Sequence, residues 1–216
     1  MSYTAVLFDL DGTLLYTLKD IADSVNQALG YLGFPPHQLN AYRYFVGDGR
    51  EALAMRALPE HHRDKATVSK LASYIGDEYS KRWANNTLPY EGIEDLLDAL
   101  TIKHIKLAIL SNKPHDITQV MVSKLLGKWQ FRAVFGAQSS LPKKPDPSAA
   151  LQIAQRLKTP PPEFLYLGDS DIDMKTATAA GMYAVGVLWG YRTAEELLSK
   201  GAKKLIQHPA DLMKLL

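Results

Sequence analysis

Apolar positions along the chain fall into two kinds of pattern. Short, largely apolar runs occupy Ala5–Phe8, Ile105–Leu110, Ala133–Phe135, Phe164–Leu167 and Ala184–Leu188, and each stops at glycine or polar residues. Their length and lack of alternation predict strands buried on both faces, as in a parallel sheet. Between them, apolar residues recur at helical spacing. Ile93, Leu96, Leu97 and Leu100 share one face, and Ile117, Val120, Met121 and Leu125 another. Pro147 and Ser148 open a third helix, carrying Ala150, Ile153, Ala154 and Leu157. The alternation predicts an α/β fold with a doubly wound, parallel-sheet (Rossmann-like) core.

One stretch departs from it. Residues 17–87 show helical patterns and no strand: Ile21, Val25, Leu29 and Leu32 form a stripe closed by Gly33, and Val68, Leu71, Ile75 and Tyr79 form a second. Ala84–Pro89 reads as a polar connector. The expected domains are therefore a core of residues 1–16 and 88–216 and a small inserted helical cap of residues 17–87, joined near the first strand's end.

Composition narrows the partners. The 216 residues are 46% hydrophobic and 22% charged, ordinary for a globular protein. A net charge of +2 argues for neither nucleic acid nor a membrane surface. Cysteine is absent, which removes disulfides and thiolate metal sites and fits a reducing compartment. No apolar run reaches the roughly 18 residues of a membrane span, so the expected location is cytoplasmic. Monomer and homodimer stay equally open.

In open parallel sheets, ligands bind beyond the carboxyl ends of the strands. Past the first predicted strand stand Asp9, Asp11, Gly12 and Thr13; past the second, Ser111, Asn112 and Lys113; past the fourth, Asp169, Ser170, Asp171 and Asp173. Lys143 and Lys144 precede the Pro147 helix. Carboxylates held close oppose each other's ionisation and call for a cationic companion. This inventory suits magnesium, a hard cation that takes oxygen ligands, and a phosphoryl group held by lysine and hydroxyl. Neither a P-loop nor a dinucleotide fingerprint is present. Singly, each stretch has an ordinary reading: DxDG as a turn, Ser170 or Asp171 as a helix cap, Asn112 as a turn residue, Lys144 as a solvated loop lysine. Their joint placement at strand ends, in one order, is what coincidence does not supply.

Phe8–Leu14 (FDLDGTL), Ser111-Asn112, Lys144-Pro145 and Gly168-Asp169 with Asp173 together resemble the four motifs of haloacid dehalogenase-like phosphohydrolases. Phe45–Leu53 (FVGDGREAL) and Gly186–Arg192 (GVLWGYR) are similar to the phosphoglycolate phosphatase branch. The resemblance implies a magnesium-dependent phosphatase acting on a small phosphorylated metabolite, 2-phosphoglycolate first, through an aspartyl-phosphate. It implies Asp9 as nucleophile, Asp11 as acid and base, and Ser111 and Lys144 as holders of the phosphoryl oxygens, with Thr13 and Asn112 beside the substrate. Magnesium would sit between Asp9, the Asp11 carbonyl and Asp169, with Asp173 in its outer shell. A phosphosugar mutase, a pyrophosphatase or a nucleotidase on the same scaffold are the alternatives. A non-catalytic binding protein would be expected to have lost a nucleophile or ligand, and none is missing. Tyr16 stands where the family commonly has aspartate, which leaves the substrate open. Gly47, Gly49 and Arg50 fit an interhelical turn and equally a substrate-binding loop, in which the Arg50 guanidinium would take a carboxylate. Trp189 and Tyr191 fit either a cavity mouth or the core.

Overall fold

A computed structural model describes residues 3–216. β1 (Ala5–Phe8) and the two-residue β2 (Leu15–Tyr16) lead into four helices: α1 (Leu18–Tyr31), α2 (Tyr42–Phe45), α3 (Arg50–Ala57) and α4 (Lys65–Arg82). After β3 (Leu88–Pro89) the chain alternates through α5 (Ile93–Ile102), β4 (Lys106–Pro114), α6 (His115–Leu125), β5 (Phe131–Ala137) and α7 (Ser148–Leu157). It closes with β6 (Phe164–Gly168), α8 (Asp171–Ala179), β7 (Tyr183–Val187), α9 (Ala194–Ser199) and β8 (Lys204–Ile206). Two compact units result. One runs to Leu15 and resumes at Pro89–Leu216; the other is Tyr16–Leu88.

The first unit is built on a six-stranded sheet in the order β5-β4-β1-β6-β7-β8. Every pairing is parallel, with Leu7 opposite Ala108 on one side and Tyr166 on the other. β1 is wholly buried, as a strand covered on both faces must be. One face packs Leu7, Ala108, Phe135, Phe164 and Tyr166 against Ile153 of α7 and Met174 and Ala177 of α8. The chain first builds the β4–β5 side of β1 and then crosses to the β6–β8 side. β1 and β6 therefore flank the switch in strand order, where such sheets bind ligands.

Two departures from the apolar pattern have local causes. β4 continues four residues past Leu110, through Ser111, Asn112, Lys113 and Pro114, with a register shift against β5. Polar residues at its end hide that extension from a hydrophobicity reading. β8 is three residues long and begins at an exposed lysine, too short and too polar to register.

In the second unit α1 buries Ile21, Val25 and Leu29 and packs with α4. Asp64 starts α4 by accepting from the N–H groups of Ala66 and Thr67. Asp20, on α1, is buried. Its carboxylate accepts from Asn86 N–H (2.9 Å) and Nδ2 (2.7 Å), and from Thr87 N–H (2.9 Å) and hydroxyl (2.8 Å).

Candidate active site

β1 delivers Asp9 directly: its N–H still donates to Leu167 of β6 at 2.9 Å, so the residue leaves the strand in register. The chain then folds on itself. The Leu10 carbonyl accepts from the N–H of Leu14 (3.0 Å) and of Leu15 (2.9 Å), and Gly12 turns with a φ of 88°. A Cβ on Gly12 would lie 2.3 Å from Asp169 Oδ2, so glycine there lets the two loops touch. Gly190 presses on Asp169 from the other side, where a Cβ would stand 2.2 Å from that residue's own Cβ.

β6 delivers Asp169. Ser170 then caps α8, its hydroxyl accepting from Asp173 N–H while the Asp173 carboxylate accepts from Ser170 N–H. The reading of this stretch as a helix cap with Ser170 as the cap residue is therefore met. The cap turns Asp173 inward, toward Lys144.

Lys144 is positioned by Asn112. The Asn112 amide accepts from the Lys144 N–H (2.9 Å) and donates to its carbonyl (3.0 Å). The sequence expectation put Asn112 beside the substrate, but here its amide is engaged with the backbone that precedes a cis Lys144–Pro145 bond. Nζ of Lys144 donates to Asp9 Oδ1 and to Asp173 Oδ1, both at 2.7 Å.

The result is a buried cluster in which one oxygen each from Asp9, Asp169 and Asp173 lies within 4.8 Å of the others. The three residues are 6%, 1% and 0% exposed, and Lys144 is 4% exposed. Two of the three carboxylates, Asp9 and Asp173, thus share one ammonium, and Asp169 stands beside them without it. Burial pushes the Asp9 carboxyl up to about 7, and Asp173 adds to the push against the opposing pull of Lys144. Burial, then Asp173 and Asp9, likewise hold Asp169 well above the usual range, against the Tyr191 N–H that donates to it at 2.7 Å. Burial alone would lower the Lys144 ammonium, but Asp173 and Asp9 outweigh it and raise it. A cluster with this surplus of negative charge fits a divalent cation held by carboxylate oxygens.

Asp11 takes a different partner. Lys113 Nζ donates to both of its oxygens at 3.0 Å. The sequence reading placed Lys113 at the strand end without a role; only the fold pairs it with Asp11. Ser111 is buried, and its Oγ accepts from Lys113 N–H at 3.2 Å. Thr13 is fully buried, and its hydroxyl has no hydrogen-bond partner among the described residues. Its carbonyl accepts from Trp189 Nε1 at 2.9 Å. Tyr191 is buried and lies against Gly12, so this aromatic belongs to the core wall. Gly47, Gly49 and Arg50 belong to the second unit. Gly49 is the cap residue of α3 with a φ of 89°, and the Arg50 guanidinium lies over Gly76 of α4.

A sequence profile described as haloacid dehalogenase-like hydrolase matches residues 6–187. The chain belongs to that family. Within it, the chain is similar to a phosphoglycolate phosphatase of Pseudomonas putida, 35% identical over 191 residues, covering 86% of this chain and 70% of that protein. A phosphoglycolate phosphatase of Xanthomonas campestris pv. campestris is 32% identical over 209 residues, covering 96% of this chain and 94% of that one. Among solved structures, a "predicted phosphoglycolate phosphatase" from Haemophilus somnus superimposes with a TM-score of 0.92 at 26% identity, covering 100% of this chain and 98% of that one. These likenesses carry the resemblance to the phosphoglycolate phosphatase branch of the haloacid dehalogenase-like hydrolases, and with it the Rossmann-like fold expected from the apolar pattern.

Proposed function

We propose that this hydrolase is a magnesium-dependent phosphatase that removes phosphate from a small phosphomonoester, with 2-phosphoglycolate the first candidate. The observation that carries the reading is the buried three-carboxylate cluster, in which a single lysine pairs with Asp9 and Asp173, at the carboxyl ends of β1 and β6. A phosphomonoester dianion approaching uncompensated carboxylates meets repulsion, so the substrate and a divalent cation belong there together. Asp9 and Asp169 would hold magnesium, with the Asp11 carbonyl, and Asp173 would orient Lys144. When bound, the ion supplies positive charge to the reacting phosphoryl group.

In the proposed reaction a carboxylate oxygen of Asp9 attacks phosphorus, the ester P–O bond breaks, and Asp11 donates a proton to the departing alkoxide. Water then attacks the aspartyl-phosphate, Asp11 takes its proton, and inorganic phosphate leaves with Asp9 regenerated. Lys144, Ser111 and the unpartnered Thr13 hydroxyl hold phosphoryl oxygens, and Asn112 acts through Lys144 as a positioning residue. Lys113 keeps Asp11 in place between steps.

The test is phosphate release from a panel of 2-phosphoglycolate, sugar phosphates, nucleotides and pyrophosphate, with magnesium and with excess chelator. Metal-dependent turnover led by 2-phosphoglycolate is expected. Turnover of no member by folded, magnesium-supplied protein would overturn the reading. Arg50 is proposed to select for a substrate carboxylate. Arg50→Ala should therefore raise KM for 2-phosphoglycolate and not for a neutral ester, and equal changes in both would remove that assignment.

A further inference from the structure

An open cavity lined by exposed polar side chains lies at the edge of the six-stranded sheet. It is about 510 Å³, within the roughly 300–1,000 Å³ typical of small-molecule sites, and is bounded by the edge strand β5, α6 and α7. Arg132 of β5 and Arg156 of α7 line it, and among the described residues neither guanidinium has a hydrogen bond or an ion pair. Gln119, Gln138 and Gln152 add carboxamides, and among the described residues no aspartate or glutamate lines the wall. His115 contributes a further donor. Its Nδ1 accepts from Gly136 N–H at 3.1 Å, so the neutral ring carries its proton on Nε2. Unpaired guanidiniums and carboxamides without a facing carboxylate match the oxygens of phosphate or carboxylate.

The same contacts argue against another strand as the occupant. An exposed edge recruits a strand through free backbone groups. Here Gln119 Nε2 donates to the Val134 carbonyl at 2.7 Å, and His115 occupies the Gly136 N–H. The edge is capped by its own helix.

The cavity wall also belongs to segments that reach the candidate active site. At Gly136 a Cβ would stand 2.6 Å from His115 Cα and 2.7 Å from the Lys113 carbonyl, so β5 is pressed without slack on the segment whose ammonium pairs with Asp11. Ser140 and Leu141 line the cavity, and Lys144 follows Leu141 by three residues.

We infer that this cavity binds a small anion bearing phosphate or carboxylate groups, and that its occupancy alters hydrolysis through the segments carrying Lys113 and Lys144. The first test is an NMR titration of the isotope-labelled full chain with inorganic phosphate and, separately, with succinate. Arg132, Gly136 and Gln138 amide signals should shift saturably with a Kd below ~1 mM, an affinity of about 4 kcal/mol. In the R132Q/R156Q double variant these shifts should be lost, while Gly12 and Asp169 signals still respond to phosphate. Response to phosphate alone assigns a phosphate-bearing ligand, to succinate alone a carboxylate-bearing one, and to both a general anion. No saturable shift with either anion, or equal shifts in the double variant, overturns the site.

The second test compares initial rates on p-nitrophenyl phosphate, at fixed free magnesium, with and without the anion that saturated the cavity. Its effect on rate should differ at least twofold between wild type and double variant. Equal effects would overturn the coupling. Because the binding arm needs no turnover, failure of the hydrolytic proposal and failure of this one are distinguishable.

Discussion

In the inserted unit Asp20, 1% exposed, accepts from two backbone N–H groups, a carboxamide and a hydroxyl, whereas in the α/β unit Asp9 shares one lysine with Asp173 and Asp169 accepts from the Tyr191 N–H. Glu78 repeats the first pattern: Lys81, Tyr31 and Arg82 surround its carboxylate, and the Lys81 ammonium leads in holding it below the usual range. The contrast separates two uses of buried charge. A carboxylate whose lone pairs are met by fixed donors ties segments together, here α1 to the chain returning at residues 86–87. Asp9 and Asp169 are left shorter of donors than Asp173, which also accepts from Ser170, and such carboxylates hold desolvation cost that a cation or proton relieves and mark sites.

Charge removal at the two places should therefore have opposite consequences. The largest effect is on chemistry: Asp9→Asn should lower phosphate release by about 10³-fold or more, while Asp20→Asn leaves the chemical step intact. Steady-state rates on the preferred ester check this, and comparable losses in both variants would erase the distinction. Next, Lys144→Met strands the Asp9 and Asp173 carboxylates. Metal-free protein should lose about 3–5 kcal/mol by urea unfolding, since breaking a buried pair leaves uncompensated charge, and magnesium should restore part of it. An unchanged urea midpoint would mean that the lysine does not carry the cluster.

Acidity sharpens the contrast further. Asp9 binds its proton more tightly folded than unfolded, so its stabilising contribution is full below the ordinary carboxyl range, near pH 4, and is lost as pH rises through about 7. Asp169 shifts in the same direction. The Tm of metal-free protein should fall from about pH 5 to pH 8, less so in Asp9→Asn, and magnesium should raise Tm more at the higher pH. Calorimetry in chelator and in magnesium reads this, and a Tm that rises with pH in both Asp9 backgrounds would contradict it. The smallest effect belongs to the second unit: Asp20→Ala leaves the Asn86 and Thr87 donors without their acceptor and should cost about 1–3 kcal/mol, unaffected by magnesium. A magnesium-sensitive loss there would place Asp20 in the same class as Asp9.

Much of the fold was legible because burial has a period. Uninterrupted apolar runs gave away β1, β6 and β7 to within a residue at each end, and the 3.6-residue stripe marked α1, α4, α5 and α7. Where the strand's end is polar, the pattern went silent: Ser111, Asn112 and Lys113 are part of β4, yet lie past the apolar run that predicts it. The candidate residues were visible for a related reason, since parallel strands present their next few residues along one sheet edge. Asn112 was visible, but its clamp on the Lys144 backbone was not, because nothing local marks an amide that bonds a backbone 32 residues away.

The sequence by itself determined the strand and helix periods, the residues at each strand end and the chemistry those residues can perform, all of which depend on neighbours a few positions apart. Only the tertiary structure decided which carboxylates share Lys144, which lysine holds Asp11, and that two arginines face one cavity at the sheet edge. Lys144 and Asp9 are 135 residues apart, and Lys113 and Asp11 are 102 apart. Such pairings are set by strand order and register, which bring distant segments together through packing of the whole core and which no local pattern records.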